Sequence, residues 1–276
     1  MARPPRIQFP NAFYHIIVRG NQRQAIFLDD SDRTAYLDLL KRYKQKCGFI
    51  LDAYVLMSNH VHLLIETPDA PISKIMQMLS FTYTQYFNRK YGKVGHLFQG
   101  RYKSYLCDKD EYLLALLRYI HLNPVRAMIA AAPDEYRWSG HSDYISQGSG
   151  LIDVNRALRL FSENKSQARQ LYNRFVNEAI NSGKNDSFYK ATEQQILGDE
   201  KFIEKVEKET DRTVKPRRKP SVGALFNALE KETGVGRDEI ISRGRSAKAV
   251  FARGLLVSLW REFGLKMTDL QPILNR

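Results

Sequence analysis

Cysteine is almost absent: Cys47 and Cys107 are the two in 276 residues. That is too few for a disulfide framework or a cysteine-built zinc site, and it fits a reducing, cytoplasmic setting. No run approaches the ~18 consecutive apolar residues needed to span a bilayer, so no membrane helix is expected. The opening MARPPRIQFP lacks the apolar stretch of a secretory signal. No long basic amphipathic helix with a clean apolar face lies at either end, which sets membrane-surface binding aside. Carboxylates are also scarce: 30 Asp and Glu stand against 43 Lys and Arg, a net charge of +13 and a pI near 9.6. Such an excess points to a polyanion, nucleic acid first, because neutralising phosphates releases counterions and gives sequence-independent affinity.

What is present suffices for a sizeable core, with 43% hydrophobic residues, and excludes wholesale disorder. The 15 tyrosines and 14 phenylalanines include candidates for stacking on unpaired bases, although most are expected in the core. No internal repeat is visible. The first half alternates period-2 and period-3.6 patterns. AFYHIIVRG (12–20) reads as a strand, followed by a helix in 30–48 with Ser31 or Asp30 as N-cap and Gly48 as its stop. FILDAYVLM and HVHLLIET read as strands joined across Ser58-Asn59. A helix follows between Pro71 and Gly92, then a strand in RYKSYLC, then a helix in DKDEYLLALLRYIHLN with Asp108 and Glu111 as a capping box. The order β-α-β-β-α-β-α predicts an α+β fold: a ferredoxin-like antiparallel sheet with helices on one face, and one further helix.

From about Ser146 the pattern becomes all-helical, with helices expected near 154–161, 166–180 and 192–209. DRTVKPRRKP (211–220) reads as a basic linker, either a solvated spacer or a phosphate-contacting arm. The last segment, 221–276, carries helical patterns at VGALFNALEKETG and AKAVFARGLLVSLWREFG, with Gly264 and Thr268 as a stop and a new N-cap. The expected organisation is therefore 1–145, a helical extension 146–210, a linker 211–220 and a helical domain 221–276.

Chemistry centres on YVLMSNHVHLLIETP (54–68), where His60 and His62 flank Val61. Side chains two apart on a strand share a face, with Cα atoms about 6.6 Å apart, so two imidazoles can converge on one ion. In EYLLALLRYIHLNPVRA, Tyr119 and Asn123 lie one helical turn apart. Pro124 predicts that the helix ends at Asn123, freeing that side chain. An Asn carbonyl beside two imidazoles is a mixed N/O set with open positions, suited to Mg²⁺ or Mn²⁺. His121 is the alternative third ligand, on another side of the helix, and Glu66 lies about 13 Å along the strand, too far from His60. Tyr119 would be the nucleophile on a phosphodiester, helped by the ion or a local base because a phenol titrates near pH 10 (about). Against this, Tyr119 sits among Leu116, Leu117 and Ile120 as a core tyrosine would, and Asn-Pro is an ordinary helix terminator. A phosphodiester-cleaving site and a nucleic-acid binder without chemistry stand level on these residues alone.

YHIIVRGNQRQAIF, AYVLMSNHVHLLIETP, GHLFQGRYKS and LLRYIHLNPVRA, followed by YRWSG, occur in that order over residues 3–145. They resemble the REP-associated tyrosine transposases, single-tyrosine endonucleases with a His-hydrophobic-His motif. The resemblance implies His60, His62 and Asn123 as ligands of Mg²⁺ or Mn²⁺ and Tyr119 as nucleophile. It implies single-stranded DNA with a hairpin as substrate, cut to a 5′-phosphotyrosine and a free 3′-OH, with no nucleotide cofactor and a place at the nucleoid. A homodimer is compatible with it, and so is use of Tyr119 in cis or in trans. Arg19, Arg101, Lys103, Arg118 and Arg126 lie in or beside these stretches as candidate DNA contacts. EIISRGRSAKAVFARGLLVSLWREFGLKMTDL resembles the DNA-binding domain of the chromosomal replication initiator, but the chain stops where a recognition helix would begin. The resulting expectation is a metal-dependent endonuclease and strand-transferase of the transposase type. Its competitors are a regulator that holds hairpins without cutting and a hydrolase that uses water.

Overall fold

The computed structural model describes residues 7–146, 148, 150–180, 196–197, 202, 206, 208, 222–242, 244, 246–262, 270 and 273–274. The chain divides into two compact units, Met1–Thr210 and Asp211–Arg276. In the first, β1 (Ala12–Arg19), α1 (Asp30–Cys47), β2 (Ile50–Met57), β3 (His60–Thr67), α2 (Ile72–Tyr91), β4 (Lys103–Cys107) and α3 (Lys109–His121) follow in the anticipated order. The sheet order is β2-β3-β1-β4, and these four strands pair antiparallel throughout, the ferredoxin-like arrangement.

Local chemistry sets the boundaries. Asp29, one residue before the anticipated caps, starts α1: its carboxylate accepts from Asp32 N at 3.0 Å, and the Asp32 carboxylate accepts from Asp29 N at 3.3 Å. Gly48 ends α1 and Gly92 ends α2, both in the left-handed conformation that glycine adopts without a Cβ clash. Asp108 caps α3 through Asp110 N rather than in a box with Glu111. Pro124 does not leave Asn123 in a loop: a short α4 (Asn123–Arg126) begins there, with Pro124 in its first turn, where a missing N–H goes unnoticed.

One sheet face, with Tyr14, Ile16 and Val18, shares a buried core with Tyr36 and Leu40 of α1 and Ile75, Leu79 and Tyr83 of α2. The extra helix α3 lies across the other face, over β2 and β3. Both sheet edges are covered, as exposed edges invite aggregation. Along β2, Leu56 N donates to Trp138 O and Gly140 N donates to Tyr54 O, each at 2.9 Å. Along β4 lies a two-residue strand, β5 (Ile196–Leu197), paired parallel. It falls inside the anticipated helix 192–209, most of which lies outside the described residues. The helices α5 (His141–Ile145), α6 (Asn155–Arg159) and α7 (Lys165–Asn177) complete this unit.

In the second unit α8 (Val222–Thr233), α9 (Arg237–Ile241) and α10 (Ala247–Glu262) enclose a core that includes Leu225, Phe226, Leu256 and Trp260. The short α9 has no counterpart in the sequence reading. The linker 211–220 and the Gly264–Thr268 boundary lie outside the described residues. Among the described residues no helix is long and apolar enough to cross a membrane.

Candidate active site

The site is built on the sheet face beneath α3. Strand register puts Met57, His60 and Arg19 in one row, and Val55, His62, Ile17 and Lys103 in the next. The two histidines are thus side by side at the end of a central strand, with rings 5.1 Å apart. The hairpin tip holding them is anchored. Ser58 O accepts from Ile26 N and Asn59 O from Gly20 N, each at 2.8 Å. Asn59 Nδ2 donates to Arg23 O at 3.0 Å, while Asn59 Oδ1 meets His60 Nδ1 at 2.7 Å. Gly20 is required by space: a Cβ there would lie 2.2 Å from Gln24 O. Beyond it, Gln22 and Arg23 adopt positive φ, 49° and 62°, a strain that tends to gather near functional sites.

Above the histidines, the Tyr119 ring lies 5.9 Å from that of His62 and 5.8 Å from that of His15, edge-on to both. The Arg126 guanidinium sits 5.2 Å from the centre of the Tyr119 ring. A cleft of about 670 Å³ is lined by His60, His62, Arg19, Arg23, Arg101 and Lys103 among others, with no carboxylate among the described residues of its wall. Gln99 N donates to Arg19 O at 2.8 Å, which holds the segment before Arg101 against the end of β1. The cleft therefore presents imidazoles and fixed positive charge to an incoming anion.

Burial keeps these imidazoles neutral. His15 is held down to about 3. His60 is held down to about 4 by burial and then by Arg19, and His62 is lowered well below the usual value by burial, His15 and His60. A neutral imidazole is the metal-ligating form. Each also has its Nδ1 engaged, His60 by Asn59 and His62 by His15 at 2.9 Å, so Nε2 is the end of each ring left for an ion, an arrangement of the kind that orients metal-bound imidazoles. The donor set fits a divalent ion through two imidazoles. Asn123 is turned toward its own helix, donating from Nδ2 to Tyr119 O at 2.9 Å. Among the described residues no group of three His, Cys, Asp or Glu is disposed to hold a metal.

The structure brings together His60, His62, Tyr119, Arg126, Arg19, Arg101 and Lys103. It places Arg118 elsewhere, stacked 4.5 Å over the Phe175 ring. His121, the alternative ligand, is buried with Nδ1 on Tyr172 Oη at 2.6 Å. Glu66 faces Lys109 and Arg156 instead of the histidines. His15 and Arg23 were not singled out from sequence. The period-2 pattern of AFYHIIVRG carried the signal, since it puts His15 on the face of Ile17 and Arg19.

The sheet order is the ferredoxin-like one, and its histidine-floored cleft is basic. The family model described as "Transposase IS200 like" matches residues 8–123, so that segment is similar to the IS200-like transposases. A solved structure described as the REP-associated tyrosine transposase bound to a REP hairpin is 16% identical, with TM-score 0.46, covering 56% of this chain and 90% of that one. A proposed transposase from Deinococcus radiodurans R1 is 21% identical, with TM-score 0.32, covering 43% of this chain and 94% of that one. No curated protein matches the sequence.

Proposed function

We propose that this chain is a metal-dependent single-stranded DNA endonuclease and strand-transferase that cuts at hairpins through a covalent 5′-phosphotyrosine on Tyr119. The observation that carries the reading is the convergence of Tyr119 with the paired histidines, 5.9 Å from His62 ring to ring, beside a cleft walled by cations. The motif resemblance supplies the hairpin substrate, and the net charge of +13 supports a polyanion.

In this scheme Arg19, Arg101 and Lys103 bind phosphates along the strand. Tyr119 Oη attacks phosphorus and its proton passes to water. The Oη–P bond forms as the P–O3′ bond breaks, and the departing 3′ oxygen takes a proton from solvent. Attack by another 3′-OH reverses these steps and joins two strands. Arg126, over the Tyr119 ring, supplies positive charge where charge develops on the phosphoryl group. His60 and His62 through Nε2, with the Asn123 amide oxygen, would hold Mg²⁺ or Mn²⁺. Such an ion polarises the phosphodiester and neutralises its oxygens.

The test is incubation of labelled single-stranded hairpin DNA with Mn²⁺ or Mg²⁺, using native protein and Tyr119→Phe. The expected result is a denaturation-resistant protein–DNA adduct, absent from the variant and abolished by EDTA. Cleavage without an adduct makes water the nucleophile. Binding without cleavage, across varied hairpins, leaves the non-cutting regulator.

A further inference from the structure

We infer that His15 is a positioning residue for this site: it fixes His62 in the tautomer whose Nε2 lone pair faces the cleft. The inference rests on the proposed roles of His60 and His62 as ligands. His15 pairs with Leu64 and Ile17 pairs with His62, so His15 and His62 are diagonal neighbours on one face, a spacing within reach of long and aromatic side chains. Their rings lie edge to edge and nearly coplanar, with centroids 5.1 Å apart and 19° between planes. One hydrogen bond, 2.9 Å from His15 Nε2 to His62 Nδ1, joins them.

Proton counting gives that bond a direction. A neutral imidazole carries one N–H and one lone pair, so one ring donates and the other accepts. If His15 donated, the His62 proton would sit on Nε2 and point into the cleft, where it would bar a cation. If His62 donates from Nδ1, its Nε2 keeps the lone pair and His15 carries its own proton on Nδ1. His60 shows the same device with its direction fixed. Asn59 Nδ2 donates to the Arg23 carbonyl, so Oδ1 is the end facing His60 Nδ1, and an amide oxygen only accepts. His60 is therefore protonated at Nδ1, and His62 needs an acceptor of its own to match it. His15 is the acceptor available. It lies outside the cleft lining and is 1% exposed, so contact with DNA does not explain it. Core packing does not explain it either, since an apolar residue on this interior strand would avoid burying an imidazole.

The experiment compares the full-length native chain with His15→Gln and His15→Leu. Long-range proton–nitrogen NMR on histidine-labelled, metal-free protein reads the His62 tautomer, titration with Mn²⁺ reads affinity, and a thermal melt controls for folding. The native protein should show His62 protonated at Nδ1. Glutamine, whose amide oxygen also accepts, should keep that tautomer and hold Mn²⁺ within a few-fold of native. Leucine should move the His62 proton toward Nε2 and weaken Mn²⁺ by about 10–100-fold, the usual effect of losing such a partner, without lowering the melting temperature. A native His62 protonated at Nε2 overturns the inference, and so does a folded His15→Leu protein with native tautomer and native Mn²⁺ affinity. If His15→Leu does not fold, His15→Gln decides: loss of the tautomer there refutes the acceptor role, and its retention supports it. A native chain that binds no Mn²⁺ refutes the ligand reading, while the metal-free tautomer still decides the role of His15.

Discussion

Replacing Arg156 with Met should destabilise the catalytic unit severely, and more at pH 8 than at pH 5. Arg156 on α6 reaches the sheet face of the histidines, where its guanidinium meets Asp52 at 2.6 and 2.7 Å and also pairs with Glu66. Asp52 is the extra residue of a β-bulge between Leu51 and Ala53. Its side chain is 0% exposed and that of Glu66 is 7% exposed, so removing the cation leaves Asp52 buried without its counter-charge, while Glu66 keeps Lys109. Breaking a buried pair in this way costs about 3–5 kcal/mol. For a unit of this size that corresponds to roughly 6–20 °C in melting temperature, at about 2–4 °C per kcal/mol. The pH dependence follows from Asp52, which burial raises to about 6 even though Arg156 opposes the rise. A group raised above its unfolded value stabilises fully below that unfolded value, and the contribution is lost as pH rises through the folded value. Removing Arg156 raises Asp52 further, so at pH 5 the folded variant holds a proton that the unfolded chain has largely released. More of the deficit is thereby offset at pH 5 than at pH 8. Thermal melts of both proteins at the two pH values provide the measurement. A shift below about 3 °C at pH 8, or equal shifts at both pH values, would refute the reasoning.

Acid should weaken the fold through its histidines. Burial holds His141 down to about 4 and His121 well below its usual value, so their contribution is complete above pH ~6.5 and is lost as pH falls through the folded values. His141 alone accounts for about 3 kcal/mol at the end of that descent, at about 1.4 kcal/mol per pH unit. Asp52 has the opposite sign between pH 6 and 4, and His15, His60, His62, His121 and His141 together outweigh it, so melts should show falling stability from pH 6.5 to 4. Tyr172→Phe should cost about 1–3 kcal/mol by leaving buried His121 Nδ1 without its hydroxyl, read by urea unfolding. Arg101→Ala and Lys103→Ala should each weaken hairpin binding and reduce the salt slope of affinity by about 1, measured by fluorescence anisotropy over a salt series.

Much of the fold was readable because it rests on local signals. The strand and helix order followed from period and from stops such as Gly48 and Gly92, and the hairpin from Ser58-Asn59. His60 and His62 were readable because period 2 alone puts them on one face. Tyr119 and Asn123 were picked out by helical spacing, yet spacing said nothing of their orientation: the Asn123 amide turns to its own helix end. His15 escaped because its meaning lies in a partner 47 residues away, and no local pattern carries that pairing. The covering of β2 by Trp138–Gly140 and the strand at Ile196–Leu197 were hidden for the same reason. Arg118 lies in a motif stretch beside Tyr119, but successive residues on a helix diverge by about 100°, and its guanidinium lies on Phe175. The second unit gave helices but no candidate site.

The central claim is that Tyr119 becomes covalently joined to DNA. The most direct measurement is mass spectrometry of the protein after reaction with a hairpin substrate and Mn²⁺, followed by digestion of protein and DNA. The account predicts a nucleotide mass on the peptide containing Tyr119, joined through a 5′ phosphate, with free 3′-OH ends on the released strand. Hydrolysed DNA with an unmodified Tyr119 peptide, or an adduct on another residue, would contradict it.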